Sequence, residues 1–113
     1  MITIYHNPRC SKSREGLCEI ESFNKPFILR KYMDEPFSKE ELKDVIKKLG
    51  IRPIELVRVK EKIWIDDYKG KELSDEAIID AMLNHPKLIE RPIVVNDNKA
   101  VIARPLEMIN KIL

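Results

Sequence analysis

The sequence predicts an α/β fold in which a mixed four-stranded sheet is flanked by helices, with further helices inserted in the middle of the chain. Three patterns lead to this fold: a strand–helix–strand unit near the amino terminus, amphipathic helices in the middle, and a hairpin followed by a helix near the carboxyl terminus. A strand–helix–strand unit has parallel strands, whereas a hairpin has antiparallel ones. Because 113 residues support one hydrophobic core, we expect a single domain over residues 1–113.

The first half of the sheet is predicted from residues 2–32. Residues 2–5 are an apolar run that ends at an Asn-Pro pair, and proline favours an extended residue before it. A helix over Ser11–Ser22 follows, with apolar residues at helical spacing and with Gly16 where the helix approaches the sheet. Residues 26–32 then form a second strand, which we expect to lie parallel to the first.

The middle of the chain is predicted to be mostly helical. Ser38 and Ser74 are suited to begin helices, and Gly50 is suited to end the first of them. Residues 61–71 are charged and weakly patterned, which favours a loop or a broken turn. His85 ends the second helix, a position from which a histidine usually interacts with the last carbonyl groups.

The second half of the sheet is predicted from two β-branched segments, residues 90–95 and 100–103, which are joined by a polar turn. That pattern is typical of an antiparallel hairpin. Pro105 follows at a position suited to the first residue of a last helix. A strand–helix–strand half joined to a strand–strand–helix half is typical of the thioredoxin-like architecture.

The composition narrows the range of functions. A net charge of +2 gives no indication of nucleic-acid binding, and no apolar run is long enough to span a membrane. Two cysteines and two histidines are not at metal-ligand spacing, and three glycines leave no nucleotide-binding glycine loop. Two cysteines also make no disulfide framework, and the sequence opens on a strand without a signal peptide, so we expect a cytoplasmic protein.

Cys10 lies between the Asn-Pro turn and the helix that begins at Ser11. The start of a helix carries unpaired N–H groups and a partial positive charge, which stabilise a thiolate and lower the pKa of a thiol placed there. Arg9, Lys12 and Arg14 add positive charge nearby, and Ser13 occupies the position where a second cysteine would make the thioredoxin-type pattern Cys-x-x-Cys. A lone cysteine in this position is often only a packing residue, but the surrounding pattern favours a nucleophile.

Three short motifs follow one another in a fixed order along the chain. They are residues 5–10 with Ser13 (Y-H-N-P-R-C-x-x-S), residues 90–95 (E-R-P-I-V-V) and residues 103–105 (A-R-P). In this combination, and over essentially its whole length, the chain resembles the glutaredoxin-dependent arsenate reductase family, which has the thioredoxin-like fold.

The resemblance implies a role for each motif residue. In that family one cysteine attacks arsenate, and three arginines bind the oxyanion. By motif these residues are Cys10, Arg58, Arg91 and Arg104. His6 corresponds to a histidine that tunes the thiol, and Pro92 corresponds to the cis-proline that lies across from the cysteine in thioredoxin folds, so we expect the Arg91–Pro92 bond to be cis.

The chemistry of these residue types agrees with the implied roles. Guanidinium groups are planar, stay charged and bind two oxygens of an oxyanion at once. The backbone N–H groups of Ser11, Lys12 and Ser13 at the helix start would supply further donors. Taken singly, each arginine is equally well explained as a surface residue, because arginine is common there.

The resemblance also implies an oxyanion substrate, glutathione as co-substrate, glutaredoxin as partner and no bound cofactor. Cys10 would displace hydroxide from arsenate, and glutathione would attack the adduct before glutaredoxin resolves the mixed disulfide. Cys18 is not expected to replace the external thiol. In a regular helix it would lie about 12 Å from Cys10 along the axis, whereas a disulfide tolerates about 7 Å between Cα atoms.

Two other functions remain open on sequence grounds. One is a glutathione-dependent thiol oxidoreductase without arsenate turnover, since Arg9 and Lys12 beside Cys10 would suit a glutathione carboxylate equally well. The other is a regulatory protein of the Spx kind, which binds RNA polymerase and senses oxidation through Cys-x-x-Cys. The second cysteine of that switch is replaced here by Ser13.

Overall fold

A computed structural model of the protein describes all of residues 1–113. The residues form two compact units. The sheet unit comprises Met1–Glu35 and Arg91–Leu113, and the helical unit comprises Pro36–Glu90. The expectation of a single domain over the whole chain stays a prediction.

The sheet unit contains four strands and one long helix. These are β1 (Ile2–His6), α1 (Ser11–Ser22), β2 (Phe27–Lys31), β3 (Ile93–Asn96) and β4 (Lys99–Ile102), followed by a 3-10 helix at Leu106–Lys111. The strand order is β2-β1-β3-β4. β1 pairs parallel to β2 and antiparallel to β3, and β3 pairs antiparallel to β4. The predicted mixed four-stranded sheet, its parallel first pair and its terminal hairpin are therefore confirmed.

The core of the sheet unit lies between the sheet and α1. Ile4 of β1 and Val94 of β3 are opposite each other across the strand pair, and both are fully buried. Ile20 of α1 and Ile109 of the last 3-10 helix pack in the same cluster. Alternation along each strand and helical spacing along α1 direct these side chains to one interior.

Gly16 brings α1 unusually close to the sheet. A Cβ atom at this position would lie 2.6 Å from Cγ of Pro92, a fully buried residue that directly precedes β3. Only glycine fits this contact without movement of the helix or of the proline. The Arg91–Pro92 bond is cis, as the family resemblance implied, and the Arg104–Pro105 bond is also cis.

The helical unit contains α2 (Lys39–Leu49), α3 (Lys62–Asp67) and α4 (Asp75–Asn84), with 3-10 turns at Pro53–Leu56 and Pro86–Leu88. Both predicted N-caps are present. The Glu41 N–H donates to Ser38 Oγ at 3.1 Å, and the Ala77 N–H donates to Ser74 Oγ at 3.2 Å. Gly50 ends α2 in the left-handed conformation, as predicted.

Two local predictions are wrong. Residues 61–71 include α3 instead of being only a loop, because Trp64 is buried and stacks on Tyr68 with ring centroids 5.3 Å apart. Six residues are too few for a helical period to emerge from the sequence. Pro105 precedes the last helix as its N-cap and is not its first residue, and that helix is 3-10.

None of the helices combines the length and the apolar character that crossing a membrane requires.

The contact between Gly16 and Pro92 generates the first testable prediction. Gly16→Ala should lower the free energy of unfolding by about 1–3 kcal/mol, because the added methyl group overpacks the contact. At a solvent-exposed helix position the same change would raise the free energy of unfolding by about 1 kcal/mol. The sign of the effect therefore identifies the contact. Urea unfolding measures it, and Glu21→Ala on the exposed side of α1 is the control. A Gly16→Ala variant as stable as the wild type would contradict the close approach.

Candidate active site

The turn after β1 is organised by the side chain and backbone of Asn7, which is buried. Asn7 Oδ1 accepts a hydrogen bond from the Arg9 N–H at 3.0 Å, and the Asn7 carbonyl accepts one from the Cys10 N–H at 3.0 Å. Asparagine favours such turns because its side chain replaces a backbone acceptor. The turn leaves Cys10 as the N-cap residue of α1, in extended backbone conformation.

The Cys10 sulfur is half-buried and surrounded by positive groups. Burial by itself raises the pKa of the Cys10 thiol. The backbone N–H of Ser13, the guanidinium of Arg91 and the backbone N–H of Lys12 outweigh that effect, so the pKa lies below its usual value. The thiol makes no capping hydrogen bond of standard geometry. The Ser13 and Lys12 N–H groups nonetheless favour the thiolate, as expected at a helix start.

Arg104 is the second guanidinium at the sulfur. Its Nη2 lies 3.5 Å from Cys10 Sγ, and its Nε donates to the Arg91 carbonyl at 2.7 Å. The Ala103 N–H also donates to the Pro92 carbonyl at 2.9 Å, which ties the two Arg-Pro segments together. The hairpin therefore delivers two arginines, 13 positions apart, to one thiol.

His6 acts on Ser13 and not directly on the sulfur. Ser13 is fully buried, and its Oγ accepts from the Asn7 N–H at 2.9 Å and lies 2.7 Å from His6 Nδ1. Since the Asn7 N–H uses an acceptor site of this oxygen, the hydroxyl hydrogen is available to Nδ1 of a neutral imidazole. Burial lowers the pKa of His6, against a hydrogen bond with the Ser13 backbone that raises it, so the ring is neutral at pH 7.

The remaining site residues predicted from the sequence are placed differently. Ser11 has an exposed side chain. Lys12 contributes its N–H group, while its Nζ lies 3.6 Å from Glu15 Oε2. Arg58 belongs to the helical unit, where its Nη1 lies 3.1 Å from Glu61 Oε1 and its Nε lies 3.2 Å from Glu90 Oε1. The arginine is thus held between two carboxylates within its own unit.

Two residues shape the cysteine turn in a way that the sequence does not predict. From the sequence, Asn7 is expected only to end a strand, and Arg14 only to add positive charge near Cys10. Arg14 Nη1 donates to the Pro8 carbonyl at 2.9 Å, which fastens the turn to α1. An Asn-Pro pair before a helix was the available signal for Asn7. Nothing in the sequence pattern distinguishes Arg14 from an ordinary exposed arginine.

No group of three or more His, Cys, Asp or Glu side chains is placed to hold a metal ion.

Arg91 gives a testable prediction about the thiol. Arg91→Gln should raise the pKa of Cys10, because it removes the guanidinium that both bonds to the thiolate and attracts it. The pH dependence of Cys10 alkylation by iodoacetamide, followed on the Cys10 peptide by mass spectrometry, measures the change. Arg9→Gln removes the same charge from the exposed neighbour and should change the pKa less. Equal shifts in the two variants would contradict a specific role for Arg91.

His6 gives a second prediction, about stability. Its folded pKa lies below the ordinary value of 6.5, so the unfolded chain binds the proton more readily. The stability contributed by the neutral ring is therefore fully present above pH 6.5 and is lost as the pH falls through and below that value. Urea unfolding at pH 7.5 and 5.5 should show a loss of stability that is smaller in His6→Gln. An identical loss in both proteins would contradict the assignment.

Comparisons with known proteins agree with this fold. A model of the ArsC family matches residues 5–112. The chain is 40% identical to an arsenate reductase of Neisseria meningitidis over 114 residues, with 99% of this chain and 97% of that protein covered. It is also 40% identical to an arsenate reductase of Haemophilus influenzae, with 99% and 98% covered.

A solved structure described as an arsenate reductase from Vibrio cholerae superimposes with a TM-score of 0.94 at 43% identity, covering 99% of this chain and 97% of that one. The predicted thioredoxin-like fold is thereby confirmed. Since the family model spans nearly the whole chain and relatives exceed one third identity over almost their full length, this protein belongs to the ArsC family.

Proposed function

We propose that the protein reduces arsenate to arsenite, with Cys10 as the nucleophile. The observation that supports this most directly is the Cys10 sulfur at the start of α1, with Arg91 lowering its pKa and Arg104 Nη2 at 3.5 Å. A thiolate beside two guanidinium groups is suited to attack an anionic centre, since the arginines neutralise the charge of the anion as it approaches. The names of the relatives are consistent with this activity.

The proposed binding site for the oxyanion uses Arg91, Arg104 and the start of α1. Both guanidinium groups can bind two oxygens each, and the N–H groups of the first helical turn add further donors. We assign Arg58 as a third oxyanion ligand on the strength of the family motif. In the helical unit its guanidinium is paired with Glu61 and Glu90.

The proposed reaction balances with two thiols. The Cys10 thiolate attacks arsenic, a Cys10–arsenic bond forms, and one arsenate oxygen leaves as hydroxide. A glutathione thiolate then attacks Cys10 Sγ, and the electron pair of the sulfur–arsenic bond passes to arsenic, which is released as arsenite. This step leaves a Cys10–glutathione disulfide. A glutaredoxin thiolate attacks the glutathione sulfur of that disulfide and restores the Cys10 thiolate.

Glutathione and glutaredoxin are proposed because the structure offers Cys10 no second thiol at bonding distance. Both cysteines are free, and Cys18 lies two turns further along α1 with an exposed side chain. The second position of the thioredoxin-type pattern is the buried Ser13. We expect the reaction to occur in the cytoplasm, where these external thiols are kept reduced.

Coupled NADPH oxidation tests the proposal. The wild-type protein is assayed with arsenate, glutathione, glutaredoxin and glutathione reductase. We expect arsenate-dependent turnover by the wild type and none by Cys10→Ser. Arg91→Gln or Arg104→Gln should lower kcat/KM about 100-fold, which is the usual effect of losing a donor to a developing anion. Glu21→Gln, which changes an exposed residue of α1, is the matched control and should keep full activity.

The same assay separates the alternatives. If arsenate causes no NADPH oxidation although Cys10 reacts readily with oxidised glutathione, the protein is a glutathione-dependent thiol oxidoreductase. If neither reaction occurs and RNA polymerase is retained by the immobilised protein, the regulatory alternative gains support. Arsenate turnover that persists in Cys10→Ser would refute the assigned nucleophile.

A further inference from the structure

An open groove of about 530 Å³ lies along the side of α1 within the sheet unit. The groove begins at Ser11, the residue after the nucleophile, and extends past Cys18. It is lined by Ser11, Arg14, Glu15, Cys18, Glu19 and Leu106. Its volume is within the range of sites for small organic ligands, which is about 300–1,000 Å³. Neither the oxyanion nor the proposed attack on arsenic requires so large a space.

The side chains of α1 that line the groove form two rows, each with residues on consecutive turns. Arg14 and Cys18 form one row, and Glu15 and Glu19 form the other, because residues four apart lie on the same face of a helix. Two glutamates in this relation repel each other. Glu15 is partly compensated by Lys12 at 3.6 Å, whereas the half-buried Glu19 has no ion-pair partner.

Arg14 supplies the complementary charge. It uses one of its five N–H donors to hold the Pro8 carbonyl at 2.9 Å, which fixes the guanidinium near the cysteine turn. A ligand that carries a carboxylate and an ammonium on the same carbon would therefore satisfy Arg14 and the glutamate row together. An α-amino acid end group has this combination.

The reach of such a ligand agrees with the position of Cys10. Arg14 is four residues beyond Cys10 on the same row, about 6 Å along the helix axis. In glutathione, about 9 Å separates the sulfur from the α-carbon of the γ-glutamyl residue when the arm is extended. A glutathione sulfur at Cys10 Sγ would thus place its γ-glutamyl end group between Arg14 and the glutamates.

We propose that this groove binds the γ-glutamyl arm of the glutathione that reacts at Cys10. The inference rests on the proposed function, since it names the binding site of its co-substrate. Arg14 binds the α-carboxylate of the arm, and Glu15 and Glu19 bind its ammonium group. The glycine arm of glutathione stays outside the groove.

The test uses thiol–disulfide exchange without arsenate, so it is independent of arsenate turnover. The Cys10 thiolate attacks one sulfur of a symmetric disulfide, a Cys10 mixed disulfide forms, and the second half leaves as a thiolate that takes a proton. The disulfides compared are those of glutathione, of γ-glutamylcysteine and of cysteinylglycine. Trypsin cleaves after Lys12 and Arg14, so mass spectrometry measures the products on Cys10 and Cys18 separately.

We expect Cys10 to react with the two γ-glutamyl disulfides about tenfold faster than with the cysteinylglycine disulfide, which corresponds to one charge-assisted contact pair. The rate of each disulfide with the folded protein is divided by its rate with the chain unfolded in urea. This ratio removes differences in the intrinsic reactivity of the three disulfides. Equal corrected rates for the three disulfides would overturn the proposal. Preferential reaction at Cys18 would also overturn it.

A charge variant distinguishes specific binding from general attraction. Glu19→Gln should reduce the preference for γ-glutamyl disulfides by about threefold to tenfold, because it removes an ammonium partner. General electrostatics predicts the opposite, since loss of a negative charge favours the more anionic γ-glutamyl compounds. Glu21→Gln on the exposed side of α1 is the matched control. An increased preference in Glu19→Gln, or equal changes in both variants, would refute the assigned groove.

Discussion

The approach of α1 to the Arg91–Pro92 segment governs the geometry of the sheet unit. The ring of Pro92 occupies the space that a Cβ of Gly16 would need, with the two positions only 2.6 Å apart. Pro92 is fully buried and directly precedes β3, so the contact sets the position of the helix relative to the sheet. Cys10 begins that helix, and Arg91 precedes that proline. One packing contact therefore fixes the thiol relative to its guanidinium.

The electrostatics of the thiol depend on groups that do not titrate near neutral pH. Burial raises the pKa of Cys10, and peptide N–H groups together with Arg91 lower it further than burial raises it. His6 contributes no positive charge, because burial keeps its ring neutral, and its contact is with Ser13. Since arginine stays protonated throughout the accessible pH range, the thiolate is stabilised by a charge that does not vary with pH.

The sheet unit places two guanidinium groups beside the Cys10 sulfur, the proposed nucleophile, but no second thiol. Ser13 occupies the second position of the pattern, and it is committed to Asn7 and His6 by short hydrogen bonds. A serine in that position holds the turn and has no thiol with which to resolve a disulfide, in agreement with the proposed use of an external thiol. The groove along α1 starts beside Cys10 and carries both signs of charge, which gives such a molecule an approach to the sulfur from the helix side.

The sequence by itself determined the order of elements, the parallel and antiparallel pairs, the caps at Ser38, Gly50 and Ser74, and the cysteine at the start of α1, because each depends on local pattern and turn chemistry. The resemblance to a known family, and not the pattern alone, led to the prediction of the cis bond before Pro92 and of roles for the arginines. The sequence did not predict the short α3, since that helix depends on the burial of Trp64, which a six-residue pattern does not reveal.

Only the tertiary structure decided which charges surround the sulfur and how. Arg104 contacts Cys10 across 94 positions, and its orientation is set by the Arg91 carbonyl. The neutral state of His6, the turn held by Arg14 and the groove beyond Ser11 likewise depend on burial and on contacts between segments. A sequence pattern predicts local geometry. The pKa of a side chain and the volume open to a ligand depend instead on groups that folding brings together.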